Sequence, residues 1–536
     1  MASDPLDSME PPCMTAKSSR GEMAGSSSPL REDGLVTMPP MTRQHETISL
    51  LPAEQLLRQL LLDCRDELPD PALSELEMWF TGGWFGNALR DFFSRNGAKY
   101  MQEAQRLGVP PEFKGLHKTA KKPDKSKHLE TCTAHVFSLD VDLVNLRKET
   151  YTQDSRNPQV KFGTAEEDAF RRDAMVNALF YNLDNQQVED FTGKGLQDMA
   201  TGLIRTPLDP YETFMDDPLR VLRVIRFASK LGYTIDEDAE QSMKDERIHI
   251  ALDAKISRER VGIELGKMMS SRNPLMAFEL IYDMGLYSTV FLDPSGHLRQ
   301  ALTNYFLRQQ MGRPWPSTWP SAYRLLASLA DDTTNLGKEL VQSEGRGESC
   351  WLMAAYAPIA GLMRTNVEEV VKDVTEAIKA TSKSSKLVED ALKHMDEIRS
   401  TVDLVADHDH SESSLSRSTV GIAIKSWGVT WKLQVLYSLL AEAVYEASDD
   451  CCFAAQLARY SQFVDFVLQQ DLQDAPHIQP ILNGDDIKGL FRLEKVGAFM
   501  KRALDGIVTW QFDNRDSSRD DATKWLRTQK EHLGIP

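Results

Sequence analysis

The chain has 536 residues, of which 41% are hydrophobic and 26% are charged, and its formal net charge is −18. This length allows several domains with substantial apolar cores, and the net charge argues against a protein that is basic over its whole surface. Six cysteines without CxxC or zinc-type spacing predict free thiols in a reducing compartment.

Residues 1–48 are predicted to be disordered, because they are rich in Ser, Pro, Gly and Met. Their basic residues are mixed with several acids, so they make no convincing transit peptide. Elsewhere no apolar run is long enough to span a bilayer, and we expect no membrane partner.

The first ordered elements are a helix over Leu50–Leu62 and a short strand over Leu76–Thr81 that ends at Gly82 and Gly83. A strand followed by two glycines lets backbone N–H groups approach a phosphate closely, although ordinary turns use the same pair. A second helix is predicted over Phe85–Leu107.

A basic run follows and is predicted to be a loop, because it contains Gly115 and Pro123. Its charges suit an RNA phosphate or a triphosphate, and a solvated loop without a ligand is an equally good interpretation. The basic residues are Lys114, His117, Lys118, Lys121, Lys122, Lys125, Lys127 and His128.

Thr133–Arg147 is predicted to form two strands. In the second, Leu139–Leu146, polar and apolar residues alternate, so Asp140 and Asp142 point to one face. Acids are depleted in strands, and two of them on one face suit a divalent metal ion. An edge strand with one face in water explains the same pattern equally well.

The stretch Glu166–Phe180 is predicted to be a helix that begins charged and ends apolar. On such a helix Asp173 and Asn177 lie on one face. The forked donors of Arg171 and Arg172 suit phosphate, while the carboxylate and the amide suit a sugar hydroxyl. An amphipathic surface helix with internal ion pairs is the alternative.

Another informative helix is predicted over Phe214–Ser229, with Asp217 as its N-cap and Pro218 in the first helical position. Arg220 and Arg223 lie along one side of it, with a third arginine one turn later. A capping role for the acid and an ion pair with Arg220 are the plain interpretation. They do not explain three arginines in a row beside an acid pair.

The chain after residue 257 is mostly helical by periodicity. Asp407–His410 invites a metal interpretation and, as a distant hypothesis, a metal-dependent phosphohydrolase. The segment lies in a Ser-rich stretch without an apolar frame, so a mobile solvated loop is favoured.

Together these stretches resemble the class II CCA-adding enzymes, the eukaryotic-type tRNA nucleotidyltransferases, in their fungal form. The resemblance extends from about Leu50 to Trp510, and several ordered motifs over this length make an accidental match implausible. The most specific motifs are KSKHLET (Lys125–Thr131), LDVDLVNLRKETY (Leu139–Tyr151), EEDAFRRDAMVNALFYN (Glu166–Asn182), VEDFTGKGLQDM (Val188–Met199) and DDPLRVLRVIRFAS (Asp216–Ser229).

The resemblance implies an α+β fold. Its head would be a nucleotidyltransferase domain of the polymerase-β type with a mixed sheet, at residues 49–190. Helical neck, body and tail would follow at residues 191–292, 293–470 and 471–536.

The resemblance also implies nucleotide-binding roles. Gly82 and Gly83 would lie at the triphosphate, and Arg172 and Asp173 would contact the ribose and select its 2′-OH.

On the neck, Asp217 and Arg220 would hydrogen-bond the base edge of CTP or ATP, and Arg223 would support them. Asp142 matches a catalytic, metal-binding carboxylate of the family. Three residues of the basic run would contact RNA: Lys121, Lys125 and Lys127.

The reaction implied by the resemblance adds CCA to tRNA 3′ ends from CTP and ATP without a nucleic-acid template. The tRNA 3′-OH attacks the α-phosphate, assisted by two Mg²⁺ ions held by carboxylates. The expected partners are the tRNA acceptor end and nucleoside triphosphates, and the chain is expected to be a monomer. Such enzymes serve the cytoplasm, the nucleus and the mitochondrion.

The chain departs from this family in the first motif. There the glycine pair should be followed by a helix start and then by a strand carrying Asp-x-Asp, the main metal site. Here GGW at residues 82–84 is followed directly by FGN, which resembles the helix after that strand. The head is therefore truncated after Trp84. Asp140 and Asp142 are no substitute, because Asp142 already matches another carboxylate.

A single carboxylate holds a catalytic metal pair poorly, so we expect this chain to add little or no CCA. A missing strand should also leave a hole in the head, at a cost on the order of several kcal/mol unless neighbours rearrange. Three alternatives follow: a catalytically dead variant that binds tRNA and nucleotide, a mis-spliced transcript, and a poly(A)-polymerase-like enzyme.

Overall fold

The computed structural model describes residues 45–46, 48–68, 82–119, 131–152, 155–308, 317–342, 347–362, 367–407, 415–445 and 450–536. Three sequence predictions lie wholly or almost wholly outside these ranges: the disordered segment 1–48, the strand at 76–81, and the RNA-contact lysines Lys121, Lys125 and Lys127. Of the segment Asp407–His410, only Asp407 is described.

Helices dominate the described residues. They are α1 (Pro52–Asp66), α2 (Gly82–Arg106), α3 (Ala165–Phe170), α4 (Gly195–Thr201), α5 (Pro210–Asp216), α6 (Leu219–Leu231), α7 (Glu237–Met243), α8 (Glu246–Lys255), α9 (Arg258–Met269), α10 (Pro274–Asp283), α11 (Tyr287–Phe291), α12 (Leu298–Arg308), α13 (Trp319–Ala330), α14 (Asn335–Leu340), α15 (Gly347–Tyr356), α16 (Val367–Ile378), α17 (Ser382–Ala406), α18 (Arg417–Trp427), α19 (Trp431–Tyr445), α20 (Asp450–Gln469), α21 (Gly484–Phe491), α22 (Phe499–Asp513) and α23 (Arg519–Thr528).

The strands are short and lie almost entirely in the first half of the chain. They are β1 (His45–Glu46), β2 (Phe113–Thr119), β3 (Thr131–Val136), β4 (Leu139–Leu143), β5 (Arg147–Thr152), β6 (Ser155–Phe162), β7 (Leu179–Asn182), β8 (Gln187–Asp190), β9 (Leu203–Ile204) and β10 (Thr234–Ile235).

The strands form four small sheets. Antiparallel sheets have the orders β2-β3-β4, β1-β8-β7 and β5-β6, and β9 pairs with β10 in parallel. The predicted α+β class is confirmed, but the described strands are divided among these sheets and do not form one continuous mixed sheet. In its own sheet β4 is an edge strand.

The core of the head is built by α1 and α2 against the β2-β3-β4 sheet. Leu56, Leu60 and Cys64 recur every fourth residue along α1, so they form one buried stripe. They share a cluster with Phe92 and Tyr100 of α2 and with apolar residues of the sheet. Burial raises the pKa of the Cys64 thiol to about 11, which keeps it in its unreactive protonated form.

The loop predicted for the basic run is wrong over residues 113–119, which form β2. Gly115 has a φ of 65°, and the pairing with β3 shifts register between Lys114 and His117. A glycine at positive φ is typical of the G1 type of β-bulge. The glycine that suggested a loop therefore marks an irregularity within a strand.

The single helix predicted over Glu166–Phe180 is also wrong. Thr164 caps α3 through a reciprocal capping box with Glu167, and α3 ends at Phe170. A 3-10 turn follows at Met175–Asn177, and Leu179 already lies in β7. The apolar end of the motif thus pairs in a sheet instead of continuing a helix.

A break at Asp217 and Pro218 divides the helix predicted over Phe214–Ser229. Asp217 takes an extended conformation with φ −133° and ψ 94°, as expected for a residue before proline. α6 therefore begins at Leu219, one residue later than predicted. The Oδ1 atom of Asp217 still accepts a hydrogen bond from the Leu219 N–H at 3.3 Å.

One large apolar cluster extends from Ala174 through α6 and α9 to Phe512, and a separate one from Leu482 to Ile535 joins α21, α22 and α23. The boundaries proposed for neck, body and tail remain predictions. Among the described residues, no helix combines the length and apolarity needed to cross a membrane.

The packing of α9 against the end of α16 depends on one glycine. A Cβ atom added at Gly262 would lie 1.9 Å from the carbonyl oxygen of Ile378, whereas one added at Gly266 would meet only the Glu348 Oε1 atom at 3.8 Å. The first contact requires backbone movement, and the second is ordinary van der Waals contact.

We therefore expect Gly262→Ala to destabilise the protein by about 1–3 kcal/mol through overpacking. Gly266→Ala is the matched control, because it adds the same methyl group to the same helix and gains up to about 1 kcal/mol of helix propensity. In chemical denaturation, the unfolding midpoint of Gly262→Ala should be lower than that of the unaltered chain. The midpoint of Gly266→Ala should be unchanged or higher. Equal midpoints would contradict the close helix contact.

Candidate functional site

A buried carboxylate organises the turn that follows α3. Asp168 is 1% exposed. Its Oδ1 atom accepts hydrogen bonds from Arg171 at 2.9 and 2.5 Å, and its Oδ2 atom accepts from Arg172 at 2.9 and 2.7 Å. The backbone N–H of Arg147 at the start of β5 also donates to Oδ1, at 3.1 Å. Arg171 in addition pairs with Glu149 at 3.2 Å.

The carboxylate predicted to contact ribose lies next to this turn and touches the neck. Asp173 is 5% exposed. Its Oδ2 atom accepts a hydrogen bond from Arg223 Nε at 2.5 Å, and its Oδ1 atom accepts one from the Asn177 amide at 3.1 Å. The predicted proximity of Asp173 and Asn177 is thus confirmed, although a 3-10 turn and not a helix produces it.

Arg220 supplies a second connection between the same two segments. Its guanidinium donates to the carbonyl oxygen of Arg171 at 2.9 Å, and the residue is 8% exposed. Asp217 lies at the start of the same helix, and its Oδ2 atom is 3.7 Å from Arg260 of α9. Burial raises the pKa of the neighbouring Asp216.

Five of the predicted nucleotide-binding residues therefore lie where the turn that follows α3 (the α3 turn) meets α6. We call this contact region the junction. The five residues are Arg172, Asp173, Asp217, Arg220 and Arg223. Gly82 and Gly83 form the first residues of α2, and their predicted contact with a triphosphate remains a prediction. The three RNA-contact lysines lie outside the described residues.

Sequence reasoning missed Arg260 as a partner of Asp217. The two residues are separated by 43 positions and share no periodic pattern, so only the packing of α9 on α6 reveals the contact. Another missed feature is the connection of Asp168 to Arg147. Both contacts join segments that are distant in sequence.

The predicted metal ligand Asp142 lies on the exposed face of β4, opposite Thr133 of β3. Its neighbour Asp140 has a 96% exposed side chain and contacts His135 Nδ1 at 2.7 Å, while His135 Nε2 contacts Glu112 at 2.8 Å. Among the described residues, no group of three or more His, Cys, Asp or Glu side chains is arranged so that it could hold a metal ion. The carboxylates of the described residues therefore do not fit a site for two divalent ions.

A cavity of about 680 Å³ lies elsewhere, between α9, the first turn of α17 and the start of α19. Gly262, Lys383 and Val429 are among its lining residues, and none of the predicted site residues is. The junction, and not the cavity, is the candidate functional site, because it gathers the predicted side chains.

Comparison with known proteins places these features in a family. The profile of the poly(A) polymerase head domain matches residues 86–205, and that of a probable RNA and SrmB-binding site of polymerase A matches residues 232–296. The head-domain match begins at residue 86, after the glycine pair.

Two curated relatives match most of the chain. The nucleotidyltransferase lcsQ of Purpureocillium lilacinum is 35% identical over 93% of this chain and 95% of its own length. The mitochondrial CCA tRNA nucleotidyltransferase of Saccharomyces cerevisiae is 33% identical over 81% of this chain and 80% of its own. The first alignment covers 584 positions, more than the 536 residues of this chain, so the relative has segments without a counterpart here.

Solved structures share the fold. A CCA-adding enzyme in its apo form I has a TM-score of 0.53 at 17% identity, covering 91% of this chain and 97% of that one. A CCA-adding enzyme in complex with ATP has a TM-score of 0.51 at 17% identity, covering 91% and 98%. The head-domain match and the shared fold together place the chain among nucleotidyltransferases with a head of the poly(A) polymerase type. Within that class, the chain belongs to the family of CCA-adding tRNA nucleotidyltransferases.

The contacts of His135 predict that the stability of the head depends on pH. Hydrogen bonds to Asp140 and then to Glu112 raise the pKa of His135 above its ordinary value. The stabilisation by the charged imidazole is therefore complete below that ordinary value and is lost as the pH rises through the raised one. His135→Gln should lower the midpoint of thermal unfolding near pH 5.5. The difference in midpoint between this variant and the unaltered chain should shrink as the pH approaches 9.

His297→Gln is the control for this measurement, because the side chain of His297 is exposed. Its midpoint should follow that of the unaltered chain at every pH. A deficit of His135→Gln that stays constant from pH 5.5 to 9 would contradict the charged state of His135.

Proposed function

We propose that this chain binds CTP or ATP at the junction between the α3 turn and α6, receives the 3′ end of tRNA there, and transfers nucleotides much more slowly than its relatives. One observation carries the binding part. The group predicted to contact ribose and the helix predicted to contact the base touch each other through Asp173 and Arg223 at 2.5 Å.

Base selection follows from the chemistry of Asp217 and Arg220. A carboxylate accepts a hydrogen bond from the exocyclic amino group that cytosine and adenine share, and a guanidinium donates to the ring nitrogen beside it. Uracil and guanine present a carbonyl at that position, so the carboxylate would face another acceptor. Two side chains can therefore select C and A without a nucleic-acid template.

Ribose selection would use the neighbouring pair, Arg172 and Asp173. Asp173 is fixed by Arg223 and Asn177, and Arg172 is fixed by Asp168. A carboxylate acceptor and a guanidinium donor held in this way can both hydrogen-bond a 2′-OH, which a deoxyribonucleotide lacks.

The slow transfer follows from the missing segment. Family members use two Mg²⁺ ions to activate the attacking 3′-OH and to stabilise the leaving pyrophosphate. In this chain Asp142 stands on an edge strand beside an Asp140 that already contacts His135. The remaining residues of the junction can bind and orient a nucleotide, but they do not replace those carboxylates.

The tRNA partner must be bound through local basic patches, since the chain as a whole carries a net charge of −18. Such binding should weaken steeply with salt, because each phosphate contact releases counterions.

We propose that the chain is a monomer. The relatives named as mitochondrial enzymes support the mitochondrion as one compartment, beside the cytoplasm and the nucleus.

The test combines a binding assay with an incorporation assay, using the purified chain, Mg²⁺ and a tRNA that lacks its CCA end. We expect CTP and ATP to bind about tenfold or more tightly than UTP and GTP, the value of about one good hydrogen bond. Incorporation of CTP should be at least about a hundredfold slower than by a relative with an intact Asp-x-Asp, since metal assistance contributes several kcal/mol.

Asp217→Asn tests the assignment of the base-reading group and should reduce the preference for CTP over UTP. Asp209→Asn is the matched control. It removes the same charge at the start of α5, where the side chain only accepts from the Glu212 N–H at 2.9 Å, and Asn caps a helix as well as Asp. If the unaltered chain incorporates CTP as fast as a relative with an intact Asp-x-Asp, the proposal of slow transfer is wrong. If all four nucleotides bind equally well, the proposal that the junction selects C and A is wrong.

A further inference from the structure

The most deeply buried acid at the junction has no direct role in the proposed function. Asp168 is 1% exposed and lies three residues before Arg171 and four before Arg172. Its carboxylate is enclosed by protein. A buried carboxylate is costly unless its charge and its lone pairs are fully satisfied, and here two guanidiniums and one backbone N–H satisfy them.

The two oxygens of Asp168 divide these partners between them. Oδ1 binds Arg171 through two nitrogen atoms, and Oδ2 binds Arg172 through two others. Each guanidinium is therefore fixed in position and in plane. A flexible arginine loses much side-chain entropy when it is ordered, and here the protein has ordered Arg172 before any ligand arrives.

Each of these arginines contributes to a different part of the junction. The Arg172 side chain is 35% exposed, so it can reach a ligand. The Arg171 side chain is 15% exposed and is fixed further by Glu149 at 3.2 Å. The carbonyl oxygen of Arg171 accepts from Arg220 at 2.9 Å. One buried carboxylate thus fixes the arginine predicted to contact ribose and the residue that holds Arg220.

We propose that Asp168 is a positioning residue that sets the ribose selectivity of the site by holding Arg172, and that aligns Arg220 through Arg171. This inference rests on the proposed function, because it concerns the same nucleotide site. Asp168 touches no nucleotide itself. Its effect appears in how well the site distinguishes CTP from dCTP, and less strongly CTP from UTP.

Asp168→Asn is the first test, because it preserves size and removes the charge. One oxygen becomes an NH₂ group that faces a guanidinium donor, so one arginine loses its acceptor. We expect the ratio of the Kd for dCTP to the Kd for CTP to fall about tenfold, the value of one hydrogen bond to a charged group. Glu166→Gln is the matched control in the same helix, since Glu166 is exposed, and its ratio should equal that of the unaltered chain.

The route through Arg172 is tested separately. Arg172→Gln alone should lower the dCTP/CTP ratio by a similar factor, and Asp168→Asn should add little in that background. Additive effects, or an unchanged ratio in Arg172→Gln, would overturn the proposal. This second variant alters a partly exposed side chain, so it gives a result even if Asp168→Asn does not fold.

The melting temperature from circular dichroism, compared with the dCTP/CTP ratio, separates a structural role of Asp168 from a positioning role. A folded Asp168→Asn protein with a lower melting temperature but an unchanged dCTP/CTP ratio would show that Asp168 only stabilises the turn, and would overturn the proposal. Failure of the proposed function looks different. In that case the unaltered chain itself binds CTP no better than UTP, whatever residue 168 is.

Discussion

The junction depends on the compensation of buried negative charge. Asp168 and Asp173 are 1% and 5% exposed, and each must find positive partners because an unpaired buried carboxylate is strongly unfavourable. Asp168 finds them locally, in Arg171 and Arg172. Asp173 finds its partner on another segment, in Arg223 of α6. The second requirement joins the α3 turn to α6 with a defined geometry.

This constraint explains why the site is compact even though the strands of the head are divided. The α3 turn is held on one side by the N–H of Arg147 in β5 and on the other by α6. α6 itself is anchored in the large apolar cluster through residues such as Val221, Val224 and Ile225, all 0% exposed. The charged side of α6 therefore has a rigid apolar support.

The sequence predicted which side chains of the α3 turn lie close together better than it predicted the backbone that carries them. The motif DAFRRD contains the i,i+3 and i,i+4 spacings that bring Asp168 to its arginines, so local spacing suffices to predict those pairs. The same motif misled about the helix beyond Phe170, because its apolar end suits a strand as well as a helix and pairing with β8 decides between them. Periodicity alone does not contain that information.

Contacts between distant segments were the part that could not be predicted. The pair of Arg260 with Asp217 and the hydrogen bond from Arg220 to the Arg171 carbonyl arise from helix packing, which no local pattern specifies. Gly115 shows the opposite difficulty. Its presence correctly indicated a special backbone conformation, but a bulge within a strand and a loop both use positive φ, and the pairing of β2 with β3 distinguishes them.

In the proposed function, the two parts of the family's chemistry, nucleotide selection and metal-assisted transfer, have different structural requirements. In the proposed function, nucleotide selection uses side chains of the α3 turn and α6, which buried ion pairs hold together. Metal binding needs several carboxylates brought to one place by adjacent strands, and removing one strand removes most of them at once. Asp142 remains on an edge strand with an exposed face. Nucleotide recognition with slow transfer, as we propose it, therefore requires only that the two sets of residues lie on different segments of the chain.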